Sequence, residues 1–302
     1  MTFARRWAAA VAGHGDRPFL IFEGPDQSVS RWTYREFDEV VTRMGATLAA
    51  AGVTPGSPVH VVLRNCPAFI AIWLACARSG AWIVPVDPTS TARDISRQLD
   101  RVRPAAGICA ASRADVYTAG VRESAAGRLT TIELTETAQD VTPADGSPAD
   151  GAGGYTVAAA VAPTDRLAVM FTSGTTSEPK GVVLTQHNYA HVADTMSAIV
   201  GLRPEHRWLV TLPLFHANAQ YYCIAPAIAV GASVALTSAF SASQWLRQAR
   251  DLLATHASLF AAPIRMILAR RPADAPAAGL QHVWFAQNLE IGRASCRERV
   301  CT

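Results

Sequence analysis

Apolar positions along the chain change their spacing at regular intervals. From 33 to 52, TYREFDEVVTRMGATLAAAG keeps apolar residues at helical period, opens with Thr33 and Glu36 in capping-box spacing and closes on Gly52, which predicts a helix. SPVHVVL (57–63) is a short β-branched run, the pattern of a buried strand. PAFIAIWLACARSG (67–80) begins on proline and ends on glycine, the polarity of a helix. Strands over WIVPVD (82–87), GICA (107–110) and TTIEL (130–134) then alternate with helices near 92–101 and 113–125. Upstream, MTFARRWAAAVAGHGD (1–16) reads as an amphipathic helix; its apolar run is too short, and lacks a cleavage site, for a secretion signal.

The stretch DVTPADGSPADGAGG (140–154) interrupts this alternation with Gly, Pro, Asp and Ser, as a linker or long surface loop does. A second block follows: strands over LAVMF (167–171) and GVVLT (181–185), a helix near 188–200, a strand over WLVTLP (208–213) and a helix near 218–230. ASVALT (232–237), a capped helix over SASQWLRQARDLLATHA (241–257), SLFAA (258–262) and VWFA (283–286) complete it. Strands alternating with helices predict parallel sheets with helices on their faces. The expected fold class is therefore α/β, as two doubly wound parallel-sheet lobes. The first lobe covers 1–139, a loop 140–163, and a second, incomplete lobe 164–289.

Composition narrows the function classes. The 302 residues are 50% hydrophobic, carry a net charge of +3 and are only 17% charged, so no basic field marks a nucleic-acid partner. Six cysteines show no CxxC spacing and no pairing with histidines, which suits a reduced, cytoplasmic protein. Residues 217–246 carry no charge, but Pro226 and Gly231 cut the run, so it predicts buried core and no transmembrane segment. Oligomeric state is not legible.

One stretch carries chemistry. Residues 171–182 read FTSGTTSEPKGV, and Lys180 is the only lysine among 27 basic side chains. The stretch leaves a predicted strand at its C-terminal end, the edge where open α/β sheets bind ligands. Thr172, Ser173, Thr175, Thr176 and Ser177 bring hydroxyls, and Gly174 lets backbone N–H groups approach a ligand closely. With the Lys180 ammonium they form a cradle for an anion rich in oxygen, most simply a polyphosphate. Pro179 stiffens the turn. The spacing fits neither the Walker P-loop nor GxGxxG. A plain Ser/Thr/Gly surface loop is the bland alternative; the strand before it and the sole lysine set this stretch apart.

TSGTTSEPKG resembles the phosphate-binding signature of the adenylate-forming ligases, a family of acyl-CoA synthetases, luciferase-like enzymes and adenylation domains. The usual pattern has glycine where Ser177 stands. LPLFHANAQ (212–220) resembles the family's next motif, and the resemblance implies that His216 lines the acyl pocket as the catalytic candidate. It also implies that Thr172, Ser173, Gly174, Thr175, Thr176, Ser177, Lys180 and Gly181 hold the nucleotide phosphates. His187 sits where members often carry a histidine. FHANAQYY, FAAPIRMILA (260–269) and FAQNL (285–289) are closest in wording to the crotonobetaine/carnitine–CoA ligase branch. In that alignment Ala286, Gln287 and Asn288 fall beside the adenine. The implied reactants are ATP with Mg2+, a small carboxylic acid and CoA; no residue stands out as a metal ligand.

The family's later segments, which hold adenine and ribose and supply a lid, find no counterpart here. The chain instead reads EIGRASCRERVCT (290–302), which matches what a short-read sequencing adapter encodes. The expectation is an N-terminal fragment of an acyl-CoA ligase, itself inactive. A non-catalytic nucleotide-binding module, or an adenylation domain serving a carrier protein, stays open at this point.

Overall fold

The computed structural model describes residues 1–136, 161–172, 180–270 and 279–285. Among these, two six-stranded sheets and nine α-helices form a mixed α/β fold. One sheet joins β1 (Pro18–Glu23), β2 (Val29–Thr33), β9 (Arg207–Val210), β10 (Ser233–Thr237), β11 (His256–Leu259) and β12 (His282–Phe285) in the order β12-β11-β9-β10-β1-β2. The other joins β3 (Pro58–Val62), β4 (Trp82–Pro85), β5 (Ala106–Ala110), β6 (Thr130–Leu134), β7 (Arg166–Thr172) and β8 (Lys180–Thr185) in the order β6-β5-β3-β4-β7-β8. Every pairing is parallel except the hairpins β1–β2 and β7–β8, which close one edge of each sheet.

Helices α1 (Phe3–His14), α2 (Tyr34–Ala50), α3 (Pro67–Ser79), α6 (Gln186–Ile199) and α7 (Ala225–Val230) share one core with the facing sides of both sheets. The helix α3 is buried along nearly its whole length, which explains its continuous apolar sequence. The outer face of the second sheet is covered by α4 (Ala92–Val102) and α5 (Ala114–Glu123). The outer face of the first is covered by α8 (Trp245–Asp251) and α9 (Ala261–Arg270). The helix α2 starts with the predicted box, Thr33 Oγ1 accepting from Glu36 N while Glu36 accepts from Thr33 N. Gly231 closes α7 at φ +75°, where a Cβ would lie 2.1 Å from the His14 ring, so glycine is required there twice over.

The sheets divide differently from the expected lobes. The hairpin β1–β2 leaves the first block, β1 pairing with β10, and the hairpin β7–β8 leaves the second, β7 pairing with β4. Each sheet thus draws strands from both sides of the 140–163 stretch. Two further corrections concern local pattern. The expected helix over 241–257 is confined to α8; the chain reverses at Leu253 (φ +56°) and enters β11, buried along its whole length. Burial in a sheet overrides helical propensity there. The uncharged 217–246 run contains a π-helical turn (Asn218–Ile224), α7 and β10. Among the described residues, no helix is long and apolar enough to cross a membrane.

Candidate functional site

The candidate residues Thr172 and His216 follow the C-terminal ends of strands, β7 in one sheet and β9 in the other. In the hairpin β7–β8, Thr172 stands directly opposite Lys180 and Phe171 opposite Gly181. This last pair of the hairpin ladder lies at the C-terminal end of β7. This is where the sequence places the phosphate cradle. Gly181 has a local reason to be glycine, because a Cβ would lie 3.0 Å from Val169 Cγ1. Ser173, Gly174, Thr175, Thr176 and Ser177 lie outside the described residues, as do Ala286, Gln287, Asn288 and the 290–302 tail. A cavity of about 300 Å³ lies between α4 and Phe171, lined also by Arg97, Gln98 and Arg101, none of them a predicted site residue.

His216 ends a tight turn, its N–H donating to Pro213 O at 3.1 Å. Its ring lies against Phe215 at 4.3 Å between centroids and is exposed on its other side. Partial loss of solvent holds its pKa below the usual imidazole value, against the pull of Asp87. Asp87 follows β4, the strand that pairs with β7. The turn that carries His216 itself follows β9 of the other sheet.

Two buried amides fix this turn, and sequence reasoning missed both. Asn65, just after β3, donates from Nδ2 to Leu212 O and Thr237 O, each at 3.1 Å, and accepts from Leu214 N at 2.8 Å. Gln220 donates to Leu214 O at 2.6 Å and accepts from Tyr189 OH at 2.6 Å. Gln220 sits on the π-helical turn, a backbone form frequent at functional sites. Buried with no partner among the described residues are Thr211 Oγ1, Asn218 Oδ1, Tyr221 OH and Ser258 Oγ. They belong to β11, the end of β9 and the π-helical turn that packs on both strands.

His187 is not part of this arrangement. The antiparallel course of β8 carries the chain to the opposite edge of the sheet, roughly 20 Å from Lys180 at ordinary strand rise. There His187 is exposed in the first turn of α6 and stacks on His191 at 5.9 Å.

The family model described as AMP-binding enzyme matches residues 7–300. The chain belongs to this family. Crotonobetaine/carnitine–CoA ligase from Escherichia coli is 28% identical over 295 residues, covering 94% of this chain and 56% of that protein. The chain thus spans little more than half the length of the curated relatives it matches. The inhibitor-bound N-terminal domain of FACL13 from Mycobacterium tuberculosis shares the fold with a TM-score of 0.82 at 21% identity, over 98% of this chain and 73% of that one. ATP-bound MatB from Rhodopseudomonas palustris does so with a TM-score of 0.74 at 20% identity, over 89% and 51%. Both share the two-sheet fold described above.

Proposed function

We propose that the complete protein activates a carboxylic acid with ATP and transfers the acyl group to CoA. One observation carries this reading: in an AMP-binding family chain, Thr172 and Lys180 stand in register at the C-terminal edge of the sheet, and Asn65, which follows β3 of that sheet, holds the turn that leads to His216. On this reading an anion cradle and the border of a second ligand meet there. In the first step, a carboxylate oxygen bonds to the α-phosphorus while the bond to the β-phosphate bridge breaks, and pyrophosphate leaves with the electron pair. In the second, the CoA sulfur, its proton released to water, bonds to the acyl carbon while the acyl carbon–oxygen bond to the phosphate breaks, and AMP leaves with the electron pair. Both steps depend on alignment and charge neutralisation more than on proton transfer.

The roles follow from the chemistry of each group. Ser173, Thr175, Thr176 and Lys180 would donate to the β- and γ-phosphates, with Gly174 and Gly181 allowing close backbone approach. His216 would border the acid. Ala286, Gln287 and Asn288 would meet the adenine. Among the described residues no cluster of three or more His, Cys, Asp or Glu could hold a metal. Magnesium would enter bound to the phosphates of ATP, where it would neutralise their charge. That MatB is known with ATP bound supports nucleotide use by this fold, and the CoA ligase relatives support CoA as acceptor.

The test is to incubate the complete protein with ATP, magnesium, CoA and a panel of short and medium-chain acids. Acid-dependent pyrophosphate release together with acyl-CoA is the expected result. Pyrophosphate and AMP without acyl-CoA would move the acceptor to a carrier protein. ATP binding with no acid-dependent release would reduce the protein to a nucleotide-binding module.

A further inference from the structure

We propose that Asn65 is a positioning residue that locks the acid-side turn to the sheet bearing the phosphate hairpin. The proposal rests on the reading of His216 as the group beside the acid.

Asn65 emerges from β3, two strands from β7 in the second sheet. Its three partners belong to the first sheet: Leu212 and Leu214 follow β9, and Thr237 ends β10. One side chain thus joins the C-terminal edges of both sheets. Its orientation is fixed by its partners. Both amide hydrogens meet carbonyls and the amide oxygen meets an N–H, so a flipped amide would face like groups at every contact. Asn65 is 4% exposed, so water cannot easily replace a lost bond.

The consequence reaches His216 in two steps. Leu214 is held at its N–H by Asn65 and at its carbonyl by Gln220. His216 lies two residues further, closed back onto Pro213. Gln220 ties the turn to α6 through Tyr189. Asn65 ties it, through its own side chain, to the end of β3 in the sheet that carries Thr172 and Lys180. Removing Asn65 therefore loosens the acid-side turn relative to that sheet while leaving the β7–β8 hairpin untouched. A displacement of this kind costs rate far more than it costs ATP affinity.

The experiment compares Asn65→Ala and Asn65→Asp with the wild type in the complete protein. It follows hydrogen exchange at the Leu214 amide, acid and ATP parameters from acid-dependent pyrophosphate exchange, and thermal unfolding. In Asn65→Ala, Leu214 should exchange faster and kcat/KM for the acid should fall by about ten- to a hundredfold, with ATP KM unchanged at temperatures where the protein is folded. Asn65→Asp keeps the acceptor for Leu214 N–H but, while ionised, loses both donors. It should protect Leu214 better than Asn65→Ala and remain impaired toward the acid. Unchanged acid parameters in a folded Asn65→Ala protein overturn the proposal. Acid and ATP use falling together, in step with the unfolded fraction, do so too. If the wild type shows no acid-dependent exchange, the functional reading falls by itself. Leu214 then decides the clamp: faster exchange in Asn65→Ala supports it, and unchanged exchange overturns it.

Discussion

The hairpins β1–β2 and β7–β8 occupy the same place, each forming the antiparallel edge of a sheet whose other strands are parallel. Both turn at the C-terminal edge. The first turn, GPDQS (24–28), consumes its own polar groups: Gly24 N donates to Ser28 O at 2.9 Å, and Asp26 accepts from Ser28 N and Oγ. The strand before it ends on Glu23, buried and bonded to Arg247 and Gln248. The second joins Thr172 to Lys180 through SGTTSEP (173–179), a sequence rich in hydroxyls and containing a glycine. On the proposed reading, equivalent topology serves structure at one edge and recognition at the other. The difference lies in side-chain supply, not in strand geometry.

Arg247→Met should break the structural edge. Arg247 contacts both Glu23 oxygens, at 2.7 and 3.1 Å, and its loss leaves a carboxylate with only Gln248 for company. A stability loss of about 3 kcal/mol is expected, the low end for a broken buried pair because Arg247 is partly exposed. Urea unfolding checks it. Lys180→Ala should do the reverse. The residue stands exposed at the start of β8, so unfolding should barely change while kcat/KM for ATP falls by about 1.5–3 kcal/mol, the worth of one charge-assisted contact. A Lys180→Ala protein with normal ATP kinetics would remove the recognition role from this hairpin.

Acidification should weaken both sheets through one histidine each. His60 on β3 is fully buried between Tyr117 OH and the Gln98 amide oxygen, both at 3.0 Å, and burial pushes its pKa down to about 4. His256 on β11 is buried between the rings of His206 and His282, 4.6 and 5.1 Å away. Burial first, then those neighbours, push it to about 4 as well. Between the folded value and about 6.5 the unfolded chain binds the extra proton, so stability rises with pH across that window and is lost as pH falls. From pH 7 to 5.5 each imidazole should cost about 1 kcal/mol. His60→Gln should shift the acid unfolding midpoint to lower pH, and an unmoved midpoint would assign the acid lability elsewhere.

What the sequence made legible follows the range of the interactions. The Thr33 and Glu36 cap, the α3 boundaries at Pro67 and Gly80, and the strands β7 and β8 depend on neighbours within a few residues, so local pattern predicts them; it does not foresee the antiparallel pairing of β7 with β8. The hairpin β1–β2 passed unnoticed as well, and the partner that sets β1 into its sheet, β10, lies some two hundred residues later. The exchange of strands between blocks is invisible for the same reason. At the site, Lys180 and His216 stand out through composition and motif. Asn65 does not: its side chain finds Leu212, Leu214 and Thr237 only after both sheets have formed. A lone asparagine before a helix reads as an ordinary turn residue.

The smallest expected effect tests the division between the two edges most closely. Partial burial holds the His216 pKa below the ordinary imidazole value, which on the proposed reading favours a neutral hydrogen bond to the acid over a charge. A neutral hydrogen bond contributes about 0.5–1.5 kcal/mol. His216→Ala should therefore raise the acid KM only a few-fold, to roughly tenfold at most, and leave ATP KM unchanged. His216→Gln, which can still donate, should fall between the two. The turn should survive both changes, because Asn65 and Gln220 hold it at Leu214 and not at the imidazole. Measured side by side with Lys180→Ala, the pair forms a cross: one variant moves ATP parameters, the other acid parameters. If His216→Ala instead collapses ATP use and spares the acid, the imidazole serves the nucleotide. The acid would then have to bind elsewhere, with the unpartnered Tyr221 and Ser258 hydroxyls as the next groups to change.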